Sequence, residues 1–241
     1  MPSPPRYNTF SDANAQAAAA LALLHQHAQH AIAQRGRFVL ALSGGTSPLQ
    51  LYQLLGRYAE NTGDLPQPTP DWSRWFIVYA DERFVSADNP LRNHLGVTRH
   101  WLNTVHFPPQ NHYPMPAKIS PLDDVTLAAT TYSQTIRALL PLDFALLGIG
   151  DDGHTASLFP SNMPQEIDNP NTVLAVHNAP KPPTERISLS YHALNSAQCI
   201  CFLARAADKK QALQRMQEQH VLPATQIRGR ESTVMYLDGS V

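Results

Sequence analysis

Short apolar runs alternate along this chain with longer amphipathic stretches. Over residues 11–35, Leu21, Leu24, Ala28 and Ile32 recur at helical spacing and predict one helix with a single buried face. Ser11 is expected to cap it, Asp12 suits the positive first turn, and Gly36 marks its end. The run 38–42 predicts a strand closed by Ser43, Gly44 and Gly45, after which Pro48 opens a second helix with Leu49, Tyr52, Leu54 and Leu55 on its apolar side. Residues 75–80 and 143–149 repeat the apolar-run pattern. Further strands are predicted over 172–176, 186–190, 199–204 and 233–237, and helices over 91–102, 122–140 and 206–219. The Pro- and Gly-punctuated segments 61–73 and 108–121 read as surface loops.

Strands and helices in alternation predict βαβ units and an α/β fold with a mainly parallel sheet. The near-continuous apolar character of the strands suits a sheet covered on both faces. No repeat, low-complexity tail or linker divides the chain, so residues 1–241 are expected to form one domain.

Composition narrows the function. Apolar residues make up 43% of the chain and charged residues only 15%, with a formal net charge of −1. A nucleic-acid partner would need a strongly basic face, and none is indicated. An anionic ligand would be held by a few local cations rather than by a global field. The apolar stretch 17–24 is far short of the roughly 20 residues of a membrane helix. It also lacks the basic start of a signal peptide, so a cytoplasmic chain with no membrane association is expected. Cys199 and Cys201 lie two apart in an apolar run and read as packed thiols. His25, His27 and His30 do not share a helix face, and the eleven histidines show no metal-binding spacing, so no metal is expected.

Three polar clusters follow predicted strands directly: 43–48, 81–83 and 150–155. In open α/β sheets ligands bind beyond the carboxyl ends of the strands, so the three clusters should converge on one crevice. In the first, Gly44 and Gly45 let the backbone approach a ligand, and Ser43, Thr46 and Ser47 add hydroxyl donors. The following helix N-terminus adds free N–H groups, which together make either a phosphate cradle or an ordinary strand-to-helix turn. No Gly-Lys-Ser/Thr follows, so it is not a Walker loop. Ala41 stands where a nucleophile elbow needs glycine, which argues against a Ser43 nucleophile. In the third cluster, His154 is surrounded by Gly148, Gly150, Gly153, Asp151 and Asp152. On residues alone it is either a general base steadied by a carboxylate or a helix cap. Asp81, Glu82 and Arg83 contact a ligand or form an internal ion pair, the ion pair being favoured. Arg186 and Lys209 matter only if the anion site is real.

These segments resemble the glucosamine-6-phosphate isomerase/6-phosphogluconolactonase family. The resemblance lies in Leu42-Ser43-Gly44-Gly45-Thr46-Ser47-Pro48, Asp81-Glu82-Arg83-Phe84-Val85, Gly148 through Pro160, and Arg186-Ile187-Ser188-Leu189-Ser190. It runs in order from about residue 10 to the C-terminus. The resemblance implies a Rossmann-like three-layer α/β/α fold, no cofactor, and hydrolysis of a phosphorylated sugar lactone, 6-phospho-D-glucono-1,5-lactone, in the pentose phosphate pathway. It implies His154 as base with Asp152 beside it. Ser43, Gly44, Gly45, Thr46, Arg83, Arg186 and Lys209 then become the groups that hold phosphate or lactone oxygens. The deaminase branch of the family carries a further carboxylate after the histidine, where this chain has Ser157-Leu158-Phe159-Pro160. A non-catalytic sugar-phosphate sensor would be expected to lose the base. Two positions leave the family pattern: Arg92, where serine is usual, and Ala206, where glycine is usual and a methyl would crowd a backbone of positive φ.

Overall fold

The computed structural model describes residues 5–60, 64–218 and 221–239. In chain order the elements are β1 (Arg6–Phe10), α1 (Ala13–Arg35), β2 (Phe38–Leu42), α2 (Leu49–Gly56), β3 (Trp75–Tyr79), β4 (Asp81–Arg83), α3 (Asn93–Val97) and α4 (Val125–Ile136). They continue with β5 (Phe144–Leu147), α5 (Met163–Glu166), β6 (Val173–Val176), β7 (Arg186–Leu189), α6 (Tyr191–Leu194), β8 (Cys199–Arg205), α7 (Ala206–Gln217), α8 (Pro223–Gln226) and β9 (Ser232–Asp238).

Six strands form one sheet in the order β1-β9-β8-β5-β2-β3, and every neighbouring pair is parallel. The predicted α/β fold with a parallel sheet is what the chain adopts. Its central strands are buried along their length, Phe38–Leu42 and Phe144–Leu147 without exception, because helices cover them. Helix α1 packs against α2 and the sheet, burying Leu21, Leu24 and Ala28 as its period requires. Its N-cap is Asp12 rather than Ser11: the Asp12 carboxylate accepts from the N–H groups of Asn14 and Ala15, both at 2.9 Å. Gly36 ends α1 in the left-handed conformation, φ 75°. Near the sheet's β2–β3 edge, Phe38, Trp75 and Trp101 meet edge to face, with ring centroids 4.8 and 6.0 Å apart.

The structure departs from the sequence pattern at several further points. Strand β1 lies at the sheet edge although its sequence carries no apolar run. The predicted helix 91–102 is the short α3 followed by a π-helical turn over Thr98–Leu102. The buried side of α2 is Leu51, Tyr52 and Leu55, with Leu49 and Leu54 only partly covered. The strands over 172–176 and 186–190 do not join the main sheet. They form a second, antiparallel sheet in the order β4-β7-β6, and the cluster Asp81–Arg83 is itself its edge strand. Ala80 links the two sheets, donating to Leu42 O at 2.8 Å and accepting from Leu189 N at 2.7 Å. The predicted helix 206–219 ends at Gln217, and residue 219 lies outside the described residues.

Candidate active site

The carboxyl ends of β2, β5 and β8 and the small sheet enclose a crevice of about 370 Å³, within the range of small-molecule sites. Ser43, Gly44, Gly45, Thr46, Arg83, His154, Arg186 and Lys209 all line it. Asp152 does not reach the crevice wall but lies behind the histidine.

The first turn is built by its glycines. Gly45 sits at φ 91°, a conformation glycine adopts freely. Gly44 is pressed against Asn93, where a Cβ would come within 1.9 Å of the amide oxygen. The Tyr52 hydroxyl reaches back from α2 and donates to Ser43 O at 2.5 Å, fixing the turn to its own helix. Ser43 Oγ is buried and has no partner among the described residues.

The second turn presents the histidine. Gly153 takes φ 87°, and Gly150 N donates to His154 O at 2.8 Å. Asp152 Oδ1 lies 2.5 Å from His154 Nδ1 and also accepts from the His154 backbone N–H at 3.1 Å. A carboxylate only accepts, so Nδ1 carries the proton and Nε2 is left with a free lone pair. No described residue bonds to Nε2. Burial pushes the Asp152 carboxyl upward, but the hydrogen bonds and charge of His154 outweigh it and hold its pKa below the ordinary value. Phe159 packs on the imidazole, with ring centroids 4.7 Å apart. Ala156, on the crevice wall, holds φ 50° without being glycine.

Asp81, Glu82 and Arg83 separate rather than pair. Asp81 is buried, accepting from Asn93 Nδ2 at 3.0 Å and Ser157 Oγ at 2.6 Å. Glu82, fully buried, faces away and pairs with Arg92 at 3.6 Å and His94 at 3.1 Å. Arg83 turns to the crevice, its Nη1 donating to Leu91 O. The internal ion pair favoured from sequence is therefore absent from Arg83 and made instead by Arg92, a residue whose role the sequence left open. The other departure, Ala206, is the first residue of α7 and has no positive φ, so its methyl meets no backbone conflict.

Arg186 is buried and lies over the Phe159 ring at 5.8 Å. Its Nε and Nη2 donate to Pro183 O and Lys181 O, which leaves Nη1 without a partner among the described residues. Burial, the main cause, lowers its pKa, opposed by the charge of Asp81. Lys181, Arg205, Asp208, Asn93 and Phe159 also line the crevice and were not singled out from sequence. Of these, only Phe159 had a local signal, beside the histidine turn. Among the described residues no cluster of three or more His, Cys, Asp or Glu is placed to hold a metal ion, and no helix is long and apolar enough to cross a membrane.

Fold and crevice together define an α/β protein with a cation-lined crevice at its strand ends. The chain belongs to the glucosamine-6-phosphate isomerases/6-phosphogluconolactonase family, whose sequence profile matches residues 11–236. It is 33% identical to a 6-phosphogluconolactonase of a Nostoc species over 211 residues, covering 84% of this chain and 80% of that one. It is also 33% identical to the 6-phosphogluconolactonase of Streptomyces coelicolor over 253 aligned positions, covering 100% of this chain and 94% of the relative. The crystal structure of a 6-phosphogluconolactonase from Thermotoga maritima superposes with a TM-score of 0.84 at 23% identity, covering 98% of this chain and all of the other, and so shares the fold.

Proposed function

We propose that this chain hydrolyses 6-phospho-D-glucono-1,5-lactone to 6-phospho-D-gluconate, as one lactonase domain acting in the pentose phosphate pathway, with His154 as general base. The observation that carries the reading is His154 on the wall of a crevice lined by cations, with Asp152 hydrogen-bonded to its Nδ1 from behind. Asp152 holds Nδ1, so Nε2 is the atom that takes a proton from water. The hydroxide adds to the lactone carbonyl carbon. The ring C–O bond then breaks, and the leaving ring oxygen takes the proton back from the imidazolium. A lactone is an activated ester, so one positioned base and donors for the developing oxyanion suffice without a covalent nucleophile.

The remaining residues bind and orient. The Gly44–Gly45–Thr46 turn with Ser43 Oγ supplies neutral donors, and Arg83, Arg186 and Lys209 supply charge for the phosphate. Phosphate binding far from the reacting carbon supplies energy that aligns the carbonyl against His154. The deaminase reading has less support: the segment after the histidine brings Ser157 to Asp81 and Phe159 to the imidazole, and adds no carboxylate to the crevice.

A coupled lactonase assay with glucosamine 6-phosphate as control substrate tests the reading. His154→Ala is expected to keep ligand affinity and lose about 10²–10⁴-fold in turnover. Near-normal rates in that variant, corrected for spontaneous hydrolysis, would overturn the base assignment. Arg186→Ala is expected to act mainly on KM, and an unchanged KM would remove Arg186 from the phosphate site.

A further inference from the structure

We infer that Asp151 sets the affinity of the crevice for anions: its carboxylate occupies the lysine pair that a ligand phosphate takes, and a phosphate binds by displacing it. The inference rests on the phosphate-binding reading of Lys209 above and adds an opposing residue that reading does not contain.

Three separate elements meet at this point. Asp151 comes from the glycine-rich turn after β5, Lys181 from the segment between β6 and β7, and Lys209 from the first turns of α7. Asp151 Oδ1 accepts from Lys209 Nζ at 2.6 Å, and Oδ2 accepts from Lys181 Nζ at 3.1 Å. One ammonium on each oxygen is the arrangement that two oxygens of a phosphate would present to the same lysines. Both lysines line the crevice, while Asp151 stands outside it. The carboxylate thus draws the two ammonium groups off the ligand and toward the rim.

The other cations of the crevice are held by different partners. Arg186 spends two nitrogens on backbone carbonyls, Arg83 binds Leu91 O, and Arg205 faces Asp208 at 3.5 Å and Asp238 at 4.0 Å. The two lysines are therefore the cations whose availability Asp151 governs. Hydrogen bonds from Lys209 and then Lys181 hold the Asp151 carboxyl at about 2, so it stays charged at any working pH. Its only side-chain bonds are these two, and it is 61% exposed, so its removal leaves the fold intact.

Two effects of removing the charge oppose each other. The lysines lose a group that gathers them, and the incoming phosphate loses a like charge one ammonium away. Lys209 is already packed, with a side chain only 22% exposed, so it stays in place without Asp151. The repulsion on a dianion is the larger effect. Asp151→Asn, neutral and of the same size, should therefore tighten anion binding.

The test measures inhibition by inorganic phosphate and the KM for the phosphorylated lactone in wild type, Asp151→Asn, Asp151→Glu, Lys209→Ala and the Asp151→Asn/Lys209→Ala pair, with melting temperatures as a check on folding. Asp151→Asn is expected to lower both constants by about three- to tenfold with kcat little changed, and Asp151→Glu to stay near wild type. Adding Lys209→Ala should erase the gain. If Lys209→Ala leaves phosphate inhibition unchanged in the wild-type background, the phosphate reading of the site itself fails. If Lys209→Ala weakens phosphate binding while Asp151→Asn leaves it unchanged or weaker, the Asp151 inference alone is overturned. Should Asp151→Asn prove unstable, Asp151→Ser gives the same readout.

Discussion

Gly150 and His154 share one small volume. A Cβ on Gly150 would come within 2.0 Å of both Cε1 and Nδ1 of the imidazole, while the Gly150 backbone itself has no positive φ. Alanine is thus compatible with the backbone and incompatible with the position of the ring. Gly150→Ala is expected to move the imidazole off Asp152 and lower kcat by at least about tenfold, because misplaced catalytic groups lose orientation steeply. The melting temperature should change little, since the ring can swing toward the crevice. Steady-state kinetics beside a thermal melt checks this, and a variant with normal turnover would show that the ring position is not critical. At this scale the sequence was informative where chemistry is concentrated locally. Ser43, the paired glycines and His154 were readable because each polar cluster abuts an apolar run. Lys181 and Asn93 were not, since each reaches the crevice from an element whose path no local pattern reveals.

Elements place those residues, and α3 shows how. Glu82 lies at its N-terminus and accepts from the backbone N–H of Asn93 at 2.7 Å and of His94 at 3.0 Å, an anion at the positive end of a helix. Asn93 in turn holds Asp81 and abuts Gly44, so a buried carboxylate orients one wall of the crevice through a single helical turn. Arg92 balances that charge; it is buried, lies 3.6 Å from Glu82 and donates to Met115 O. Arg92→Met is expected to leave Glu82 short of one countercharge and to cost about 2–3 kcal/mol, less than a fully broken buried pair because the backbone donors remain. Urea denaturation reads the loss; an unchanged midpoint would mean the pair contributes nothing net. The element pattern was legible for β2, β3, β5 and β8, whose burial on both faces demands unbroken apolar runs. It was not legible for β1, an exposed edge strand, or for β4, whose alternate residues serve the site rather than a core. The apolar runs of β6 and β7 marked them as strands, but a run does not say which sheet will receive it.

On the scale of the whole molecule, these buried ionisable groups fix how stability varies with pH. His112 accompanies Tyr79 and His94 beneath the α3 region, with Nε2 2.8 Å from the Tyr79 hydroxyl and its ring 6.5 Å from that of His94. Burial first, and the charge of His94 second, lower its pKa to about 4. An imidazole whose folded pKa lies below the unfolded value of about 6.5 binds fewer protons folded than unfolded between those limits. Stability should therefore decline as pH falls through that window, before the carboxylates are involved. Glu82 and Asp152 act in the opposite chemical sense but add to the same trend. Burial raises each, yet their hydrogen bonds and partner charges leave both below the ordinary carboxylate value. Their contribution is complete above that value and is lost only as pH drops further toward the folded pKa. Acid unfolding is thus expected in two stages, an imidazole stage and then a carboxylate stage. His112→Gln keeps a polar side chain beside Tyr79 but cannot take a proton. Between about pH 7 and pH 5 the wild type should lose on the order of 1 kcal/mol more than this variant, and below about pH 4 the two should fall in parallel. Urea midpoints measured across that range decide it: equal slopes from pH 7 to 5 would assign the first stage to a group other than His112.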